Sequence, residues 1–241
     1  YTLIVTDTMG CLDSVSVILS EPNILTANIT DSTNISCNSV CDGDAIVTAG
    51  GGTLPYDYLW SNADTNTLAD TLCATTPYSV IVTDSMGCQA FDTVTLSEPA
   101  VLTATITDST NLSCNAVCDG DATVIPGGGT TPYTYLWSNA DTNTIADSLC
   151  AATPYSVIVT DSMGCQAFDT TTLSEPDVLV ATIIDSNNTS CNGICDGDAT
   201  VGVTGGTLPY TYLWSNADTN TLADSLCAGV VYSVIVTDSM G

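Results

Sequence analysis

Cysteines, carboxylates and hydroxyls are the side chains of this chain that could do chemistry, because its 241 residues include no Lys, Arg or His. That set is narrow. General acid–base catalysis near neutral pH draws most often on His, and a Ser, Thr or Cys nucleophile needs a neighbouring base to activate it. A carboxylate pair of the glycosidase kind is the one catalytic constellation these residues allow. Its duplication in every copy of a repeated unit would be odd for an enzyme, so the chain is read as non-enzymatic.

The 12 cysteines arrive four to a period, as at Cys88, Cys114, Cys118 and Cys150. Such regular spacing in small repeating domains points to disulfides in an oxidising compartment. Without His, zinc would need four thiolates, and the paired CxxC knuckles of a zinc ribbon are missing. Four cysteines allow three connectivities. Cys150 and Cys165 flank a predicted strand, Tyr155 to Thr160, whose extended residues hold them about 20 Å apart, beyond disulfide reach. Of the two connectivities left, the nested one is favoured: Cys114 with Cys165 and Cys118 with Cys150. The same rule gives Cys37 with Cys88, Cys41 with Cys73 and Cys195 with Cys227, and leaves Cys11 and Cys191 without partners inside the chain. In the chain-entropy account each bridge contributes about 3–4 kcal/mol.

Calcium is the only cofactor the residues suggest. Asp119 and Asp121 alternate in Cys-Asp-Gly-Asp, where the strand period of two puts both carboxylates on one face beside a Gly turn. Asp42 with Asp44 and Asp196 with Asp198 repeat the pair, and Glu98 or Glu175 near a joint would complete an interdomain site. Asp-Gly is also ordinary turn chemistry with solvated charge, and the motif is no EF-hand.

The elements that must position these residues come in copies. The segment beginning Tyr-Ser-Val-Ile-Val-Thr-Asp at Tyr78 recurs at Tyr155 and Tyr232, with a near copy at Tyr1, so the period is 77 residues. The units Tyr78 to Pro154 and Tyr155 to Val231 agree at 61 of 77 positions without insertion or deletion, a fidelity that suits a spacer better than a set of distinct active sites. Leu-Ser-Glu-Pro recurs at Leu19, Leu96 and Leu173, and because Pro cannot extend a strand ladder, boundaries are placed there. The expected organisation is a partial repeat over 1–22, repeats over 23–99 and 100–176, and a repeat over 177–241 that stops before its last strand. The single Glu-Pro step between them leaves little slack, so a stiff rod is expected.

Within one repeat, the runs Val101 to Thr107, Asp121 to Ile125, Tyr133 to Trp137, Thr144 to Leu149, Tyr155 to Thr160 and Gln166 to Leu173 alternate Val, Ile, Thr and Tyr with polar residues between Gly, Asn, Asp and Pro clusters. Short strands at this spacing predict an all-β fold, a tandem array of immunoglobulin-like antiparallel β-sandwiches. Trp60, Trp137 and Trp214 each end a Tyr-x-Tyr-Leu-Trp strand. One large aromatic per sandwich is most simply its core anchor, the sharper reading being a surface platform for stacking sugars.

The net charge of −27 is made entirely of Asp and Glu. It repels nucleic acid phosphates and anionic membrane faces, which excludes nucleic-acid binding. No apolar run reaches the ~18 residues of a membrane span and no signal peptide opens the chain, so no membrane insertion is expected.

Ser113 to Thr123, Pro132 to Ser138, Leu149 to Ala151 and Tyr155 to Cys165 together carry Ser-Cys-Asn-x-x-Cys-Asp-Gly-Asp-Ala-Thr, Pro-Tyr-Thr-Tyr-Leu-Trp-Ser, Leu-Cys-Ala and Tyr-Ser-Val-Ile-Val-Thr-Asp-Ser-Met-Gly-Cys. This pattern resembles the SprB repeat, a module of the large gliding-motility adhesins and other cell-surface proteins of Bacteroidetes. The family's common Asn-Gly-Cys turn stands here as Met-Gly-Cys, at Met86 and Met163. The resemblance implies type IX secretion, display on the outer cell surface and the same nested disulfides. Asp followed by Ser or Thr also looks like the O-glycosylation acceptor pattern of Bacteroidetes, with Ser85, Thr93, Ser109, Ser148, Ser162, Thr170 and Ser225 as acceptors. The functional expectation is a stalk or filament segment of a secreted surface adhesin used in attachment and gliding. Its partners are neighbouring repeats, other chains by lateral self-association, and external surfaces or glycans reached through regions outside this chain. The alternatives are a repeated calcium-dependent glycan-binding module or a self-assembling fibre.

Overall fold

The computed structural model describes residues Tyr1–Gly241, which form β-strands and no helix. The chain divides into two compact units, Tyr1–Ala100 and Val101–Gly241.

The first unit opens with a hairpin of β1 (Thr2–Thr6) and β2 (Leu12–Ser16), followed by β3 (Thr26–Thr33), β4 (Gly43–Gly50), β5 (Tyr56–Trp60), β6 (Leu68–Leu72), β7 (Pro77–Asp84) and β8 (Gln89–Thr95). These six make two antiparallel sheets, β3-β4-β6 and β5-β7-β8. The second unit repeats the plan with β9 (Thr103–Thr110), β10 (Gly120–Gly127), β11 (Thr134–Trp137), β12 (Ile145–Leu149), β13 (Pro154–Thr160) and β14 (Gln166–Thr172). Their sheets are β9-β10-β12 and β11-β13-β14. A further set, β15 (Val180–Asn187), β16 (Gly197–Thr204), β17 (Thr211–Trp214), β18 (Leu222–Leu226) and β19 (Val234–Thr237), gives the sheets β15-β16-β18 and β17-β19.

Each of the six runs expected in a repeat is a strand. The first starts later than expected, at Thr103, and extends to Thr110 because its polar end Asp108-Ser109-Thr110 pairs across to Asp121, Ala122 and Thr123 of β10. Alternation decides what faces inward. Along β4, Ala45 and Val47 are buried while Ile46 points out, and on the facing sheet Val80 and Val82 are buried while Ile81 points out.

The core of each repeat centres on its tryptophan. Trp60, Trp137 and Trp214 are 2%, 1% and 2% exposed, and each indole Nε1 donates to a loop carbonyl: Trp60 to Asn66 at 3.0 Å, Trp137 to Asn143 at 3.0 Å, Trp214 to Asn220 at 2.9 Å. A buried indole N–H needs such an acceptor. The tryptophans are core anchors, and no stacking platform is presented by them.

The two sheets are also tied at their edges. Beside a bulge in β3, the Ile29 N–H donates to Asp92 Oδ2 of β8 at 2.7 Å, and the Ile106 N–H donates to Asp169 Oδ2 at 2.8 Å. A strand-edge donor, which would otherwise template pairing with another chain, is thereby occupied by a charged acceptor.

Replacing Trp137 by Ala removes the largest buried side chain of its repeat and should destabilise that repeat by about 3–5 kcal/mol. Phe168→Ala, at a residue 79% exposed on the outer face of the sheet, should stay within about 0.5 kcal/mol. Denaturant unfolding of the two variants, followed by far-ultraviolet dichroism, separates them.

Candidate functional site

At one end of each sandwich the Ser-Cys-Asn loop is laced to the Leu-Ser-Glu-Pro segment. In the first unit Ile35 N donates to Ser97 O at 3.1 Å, Ser97 N to Asn34 Oδ1 at 2.9 Å, Ser39 N to Glu98 Oε2 at 2.7 Å and Asn38 Nδ2 to Pro99 O at 3.1 Å. The same four bonds recur in the second unit, from Leu112 to Ser174, Ser174 to Asn111, Ala116 to Glu175 and Asn115 to Pro176. Leu96 and Leu173 are 2% and 3% exposed and close the core. Leu-Ser-Glu-Pro therefore belongs to the body of its repeat.

The Cys-Asp-Gly-Asp motif is built into this end. Asp42 accepts from Ser36 N at 3.0 Å and from the Ser36 hydroxyl; Asp119 does the same with Ser113, and Asp196 with Ser190. The serine hydroxyl and then its N–H stabilise each carboxylate and hold all three below the usual aspartate range. Gly43 is buried because a Cβ there would lie 2.4 Å from Leu96 Cδ1 and 2.8 Å from Ile35 Cδ1; at Gly120 the clash would be 2.5 Å from Leu173 Cδ1. Asp44 and Asp121 pair in register with Thr33 and Thr110, and Asp198 accepts from Asn187 Nδ2 at 3.0 Å. Asp42, Asp44, Asp119, Asp121, Asp196, Asp198, Glu98 and Glu175 are thus spread over separate loop brackets, and nowhere do three acidic or cysteine side chains converge.

Disulfides staple the same end. Cys41–Cys73, Cys118–Cys150 and Cys195–Cys227 are formed. Beside them the Tyr78 hydroxyl accepts from Cys73 N, Tyr155 from Cys150 N and Tyr232 from Cys227 N, each at 3.0 Å. The other two expected bridges are corrected. Cys88 and Cys114 are free thiols, as are Cys11 and Cys191, so neither Cys37–Cys88 nor Cys114–Cys165 forms; Cys37 and Cys165 are themselves disulfide-bonded. The reason is distance. The lacing holds Cys37 beside Ser97, whereas Cys88 precedes the seven-residue strand β8 at its other end, about 20 Å away at the rise of a strand and far outside disulfide reach. Cys114 and Cys165 stand in the same relation across β14.

At that opposite end lies a group the sequence reading passed over. Asp84, Asp161 and Asp238 are buried, at 4%, 5% and 8% exposure. Asp84 Oδ1 accepts from Met86 N at 2.9 Å and Cys88 N at 2.8 Å, while Oδ2 accepts from Thr53 N at 2.9 Å. Asp161 makes the matching bonds with Met163, Cys165 and Thr130. Burial alone would raise these carboxyls, but the backbone donors outweigh it and both sit below the usual range. The Asp opens the Met-Gly-Cys hairpin turn with Gly87 at φ 86. The signal was present as an Asp two and four residues before N–H groups of a tight turn.

The expected glycan acceptors Ser85, Thr93, Ser109, Ser148, Ser162, Thr170 and Ser225 are all exposed. The Ser85 and Ser162 hydroxyls donate to Thr53 O and Thr130 O, and Ser148 and Ser225 hydrogen-bond their preceding aspartates.

The model of the SprB repeat family matches residues 29–65, 106–142 and 183–219. The chain carries SprB repeats. Each match runs from within β3 to the loop after β5, or its equivalents, and so includes the Ser-Cys-Asn loop, the Cys-Asp-Gly-Asp motif and the core tryptophan. Among solved structures, the SprB repeats are similar to a tetra-tandem repeat from the extending region of a large adhesion protein. The identity is 12% and the TM-score 0.28, over 100% of this chain and 70% of that one. They are also similar to the N-terminal eight immunoglobulin domains of Down syndrome cell adhesion molecule (9%, TM-score 0.26, 98% and 50% covered) and to the FN1–FN3 domains of chicken CNTN1 (13%, TM-score 0.25, 90% and 93% covered). No curated protein matches the chain.

Because the folded carboxyls of Asp42, Asp84, Asp119, Asp161 and Asp196 lie below their ordinary value, they stabilise the fold above the unfolded aspartate value of about 3.9, and that contribution is lost as pH falls through the folded values. The thermal midpoint should hold steady above about pH 5 and fall below about pH 4. Asp84→Asn with Asp161→Asn should lower the midpoint at neutral pH and make the acid fall shallower, measured by scanning calorimetry across pH.

Proposed function

We propose that this chain is a length of the repeat region of a secreted cell-surface adhesin, a stalk that carries a distal binding region and transmits load. The observation that carries this reading is the use made of the reactive side chains. Carboxylates such as Glu98 and Asp42, the Ser36 hydroxyl, and the cysteine pair Cys41 and Cys73 are taken up in hydrogen bonds and a bridge within their own repeat, and the same bonds recur at the same phase in the next copy. A unit whose chemistry is spent on its own fold serves by being rigid and repeated. Its membership of the SprB repeats supports a place on the outer surface, with type IX export, a part in gliding and glycans on exposed serines such as Ser85 and Ser162 as the finer form of the reading. The calcium-dependent glycan-binding alternative loses its platform with the burial of Trp60, Trp137 and Trp214.

Lateral association is a second reading, favoured by one feature. On the outer face of one sheet Leu59, Ile81 and Phe91 are cross-strand neighbours, exposed by 53%, 38% and 77%, and Leu136, Ile158 and Phe168 repeat the row. A net charge of −27 opposes close approach of copies, so salt should promote any such contact. Sedimentation that becomes concentration-dependent at high salt, and is abolished by Phe91→Ser with Phe168→Ser, would support it.

For the stalk, removing whole repeats from the parent protein should leave export intact while weakening cell attachment to a surface, read by surface immunolabelling and detachment under flow. The isolated chain should bind neither the surface nor cell glycans; tight binding by it overturns the reading. Because the acidic residues are spread over separate hydrogen-bonded brackets, the thermal midpoint should be the same in calcium and in chelator.

A further inference from the structure

The two outer faces of a sandwich differ in charge more than in apolar content. On the sheet β11-β13-β14 the exposed row of Leu136, Ile158 and Phe168 has Thr160 and Gln166 in register on one side of it, Ser156 and Thr170 on the other. No carboxylate stands among these outward residues, in a chain that carries 27 acidic side chains. On the matching face of the first unit, around Leu59, Ile81 and Phe91, there is one, Asp57, on the edge strand β5.

The other sheet is different. Each of its three strands sets a carboxylate outside the core: Asp31, Asp44 and Asp70 in the first unit, Asp108, Asp121 and Asp147 in the second. Asp185 and Asp224 hold the places of Asp31 and Asp70 in the last set of strands. Yet this face is apolar too, since Ile46 beside Leu68 in the first unit, and Ile125 and Ile145 in the second, are exposed on it.

We propose that the uncharged face is where two copies of this chain pair, sheet against sheet, and that the acidic face behind it stops the assembly at two. This pairing presupposes the lateral association of the second reading above and gives it a partner and a limit. Stacked sheets lie about 10 Å apart. With the uncharged faces in contact, the two acidic sheets are therefore three spacings apart, about 30 Å, well beyond the ~8 Å screening length at physiological salt. Acidic faces in contact would bring their carboxylates within about 10 Å of each other. An acidic face laid on an uncharged one would bury three carboxylates and supply no cation to pair with them. A cationic partner would be drawn to the acidic face, which leaves a second copy of the same negative chain as the occupant that an uncharged face fits. A two-fold axis in the plane of that face lays the apolar row on its own copy, as a closed pair requires.

The face is small. Three strands of five outward-and-inward residues cover about 14 by 17 Å, roughly 240 Å², against the ~800 Å² per partner of a standard interface. Pairing of this chain is accordingly weak and is read at high protein concentration.

Sedimentation equilibrium of the alkylated chain at high salt, over a series reaching millimolar protein, should show a mass that rises toward twice the monomer and no further. Ile81→Asp with Ile158→Asp and Ile235→Asp, the middle of the row in each set of strands, should hold the mass at the monomer. Phe91→Ser with Phe168→Ser, at the most exposed positions of the row, should lower association in the same direction if the aspartates disturb the fold, which far-ultraviolet dichroism checks. Asparagine substitution of the exposed carboxylates, Asp31→Asn, Asp70→Asn, Asp108→Asn, Asp147→Asn, Asp185→Asn and Asp224→Asn together, should release the limit and carry the mass past twice the monomer. A chain that stays monomeric at every concentration overturns both the pairing and lateral association. Unsubstituted chain that grows past two, folded row variants that associate undiminished, or a neutralised chain that still stops at two overturns the pairing and leaves lateral association standing.

Discussion

With no cationic side chain in the molecule, the chain itself can satisfy a carboxylate that leaves bulk water only with N–H and O–H donors, and the fold is organised around supplying them. Asp84 and Asp161 each collect three backbone N–H groups at the hairpin end, while Glu98 and Glu175 take loop N–H groups at the laced end. Asp92 and Asp169 reach an edge N–H of the opposite sheet. A salt bridge would have allowed a flexible partner of variable reach. A backbone N–H is fixed by the chain itself, so each carboxylate specifies the path of a loop, and charge-assisted bonds of this kind are among the stronger ones in proteins. Buried side-chain polar atoms are all partnered as a result.

The glycines follow from the same crowding. At Gly51, with φ 71, a Cβ would stand 1.9 Å from the Ile24 carbonyl oxygen, and Gly205 has the same relation to Val178. Next to Gly51, the Gly52 N–H donates to Asn23 O at 2.7 Å, and a Cβ on Gly52 would press on Asp84 Oδ2. The chain entering a repeat is thus seated on a glycine pair that itself sits against the buried aspartate. One contact set joins the incoming segment, the glycine turn and the hairpin carboxylate, which is why a repeat cannot change any one of them alone.

Strand positions were legible in the sequence because period-two alternation is a local signal, and β4 or β13 needs nothing distant to declare itself. The role of the tryptophan was legible for a related reason: one large aromatic at a fixed phase has few places to go in a small sandwich. What stayed hidden was which strand ends share an end of the sandwich. The argument that strand Tyr155 to Thr160 separates Cys150 from Cys165 applies equally to Cys114, which lies four residues from Cys118 and is carried to the Cys150 end by the Cys118–Cys150 bridge. That second step needs one pairing to be known before it can be taken. The packing role of Cys-Asp-Gly-Asp stayed hidden for a similar reason, since the need for Gly43 comes from Leu96, fifty-three positions away, whose contact no local pattern announces.

The placement of Leu-Ser-Glu-Pro has a consequence for how the array can vary. Leu96 closes the core, Ser97 and Glu98 hold the Ser-Cys-Asn loop, and the Pro99 carbonyl accepts from Asn38, so the motif read as a linker is structural up to its last residue. On the far side, the next repeat's own residues are engaged almost at once: at the equivalent joint ahead of β3, Asn23 is already bonded to Gly52, and Leu25 packs against the core. In sequence, few residues separate the last engaged position of one repeat from the first engaged position of the next. An insertion or deletion there would displace either the lid of one core or the first contact of the next, both of which cost buried area and fixed hydrogen bonds. Agreement at 61 of 77 positions without a single length change is then expected, since whole repeats can be added or lost without touching the lid of one core or the first contact of the next, whereas a change of length beside either cannot.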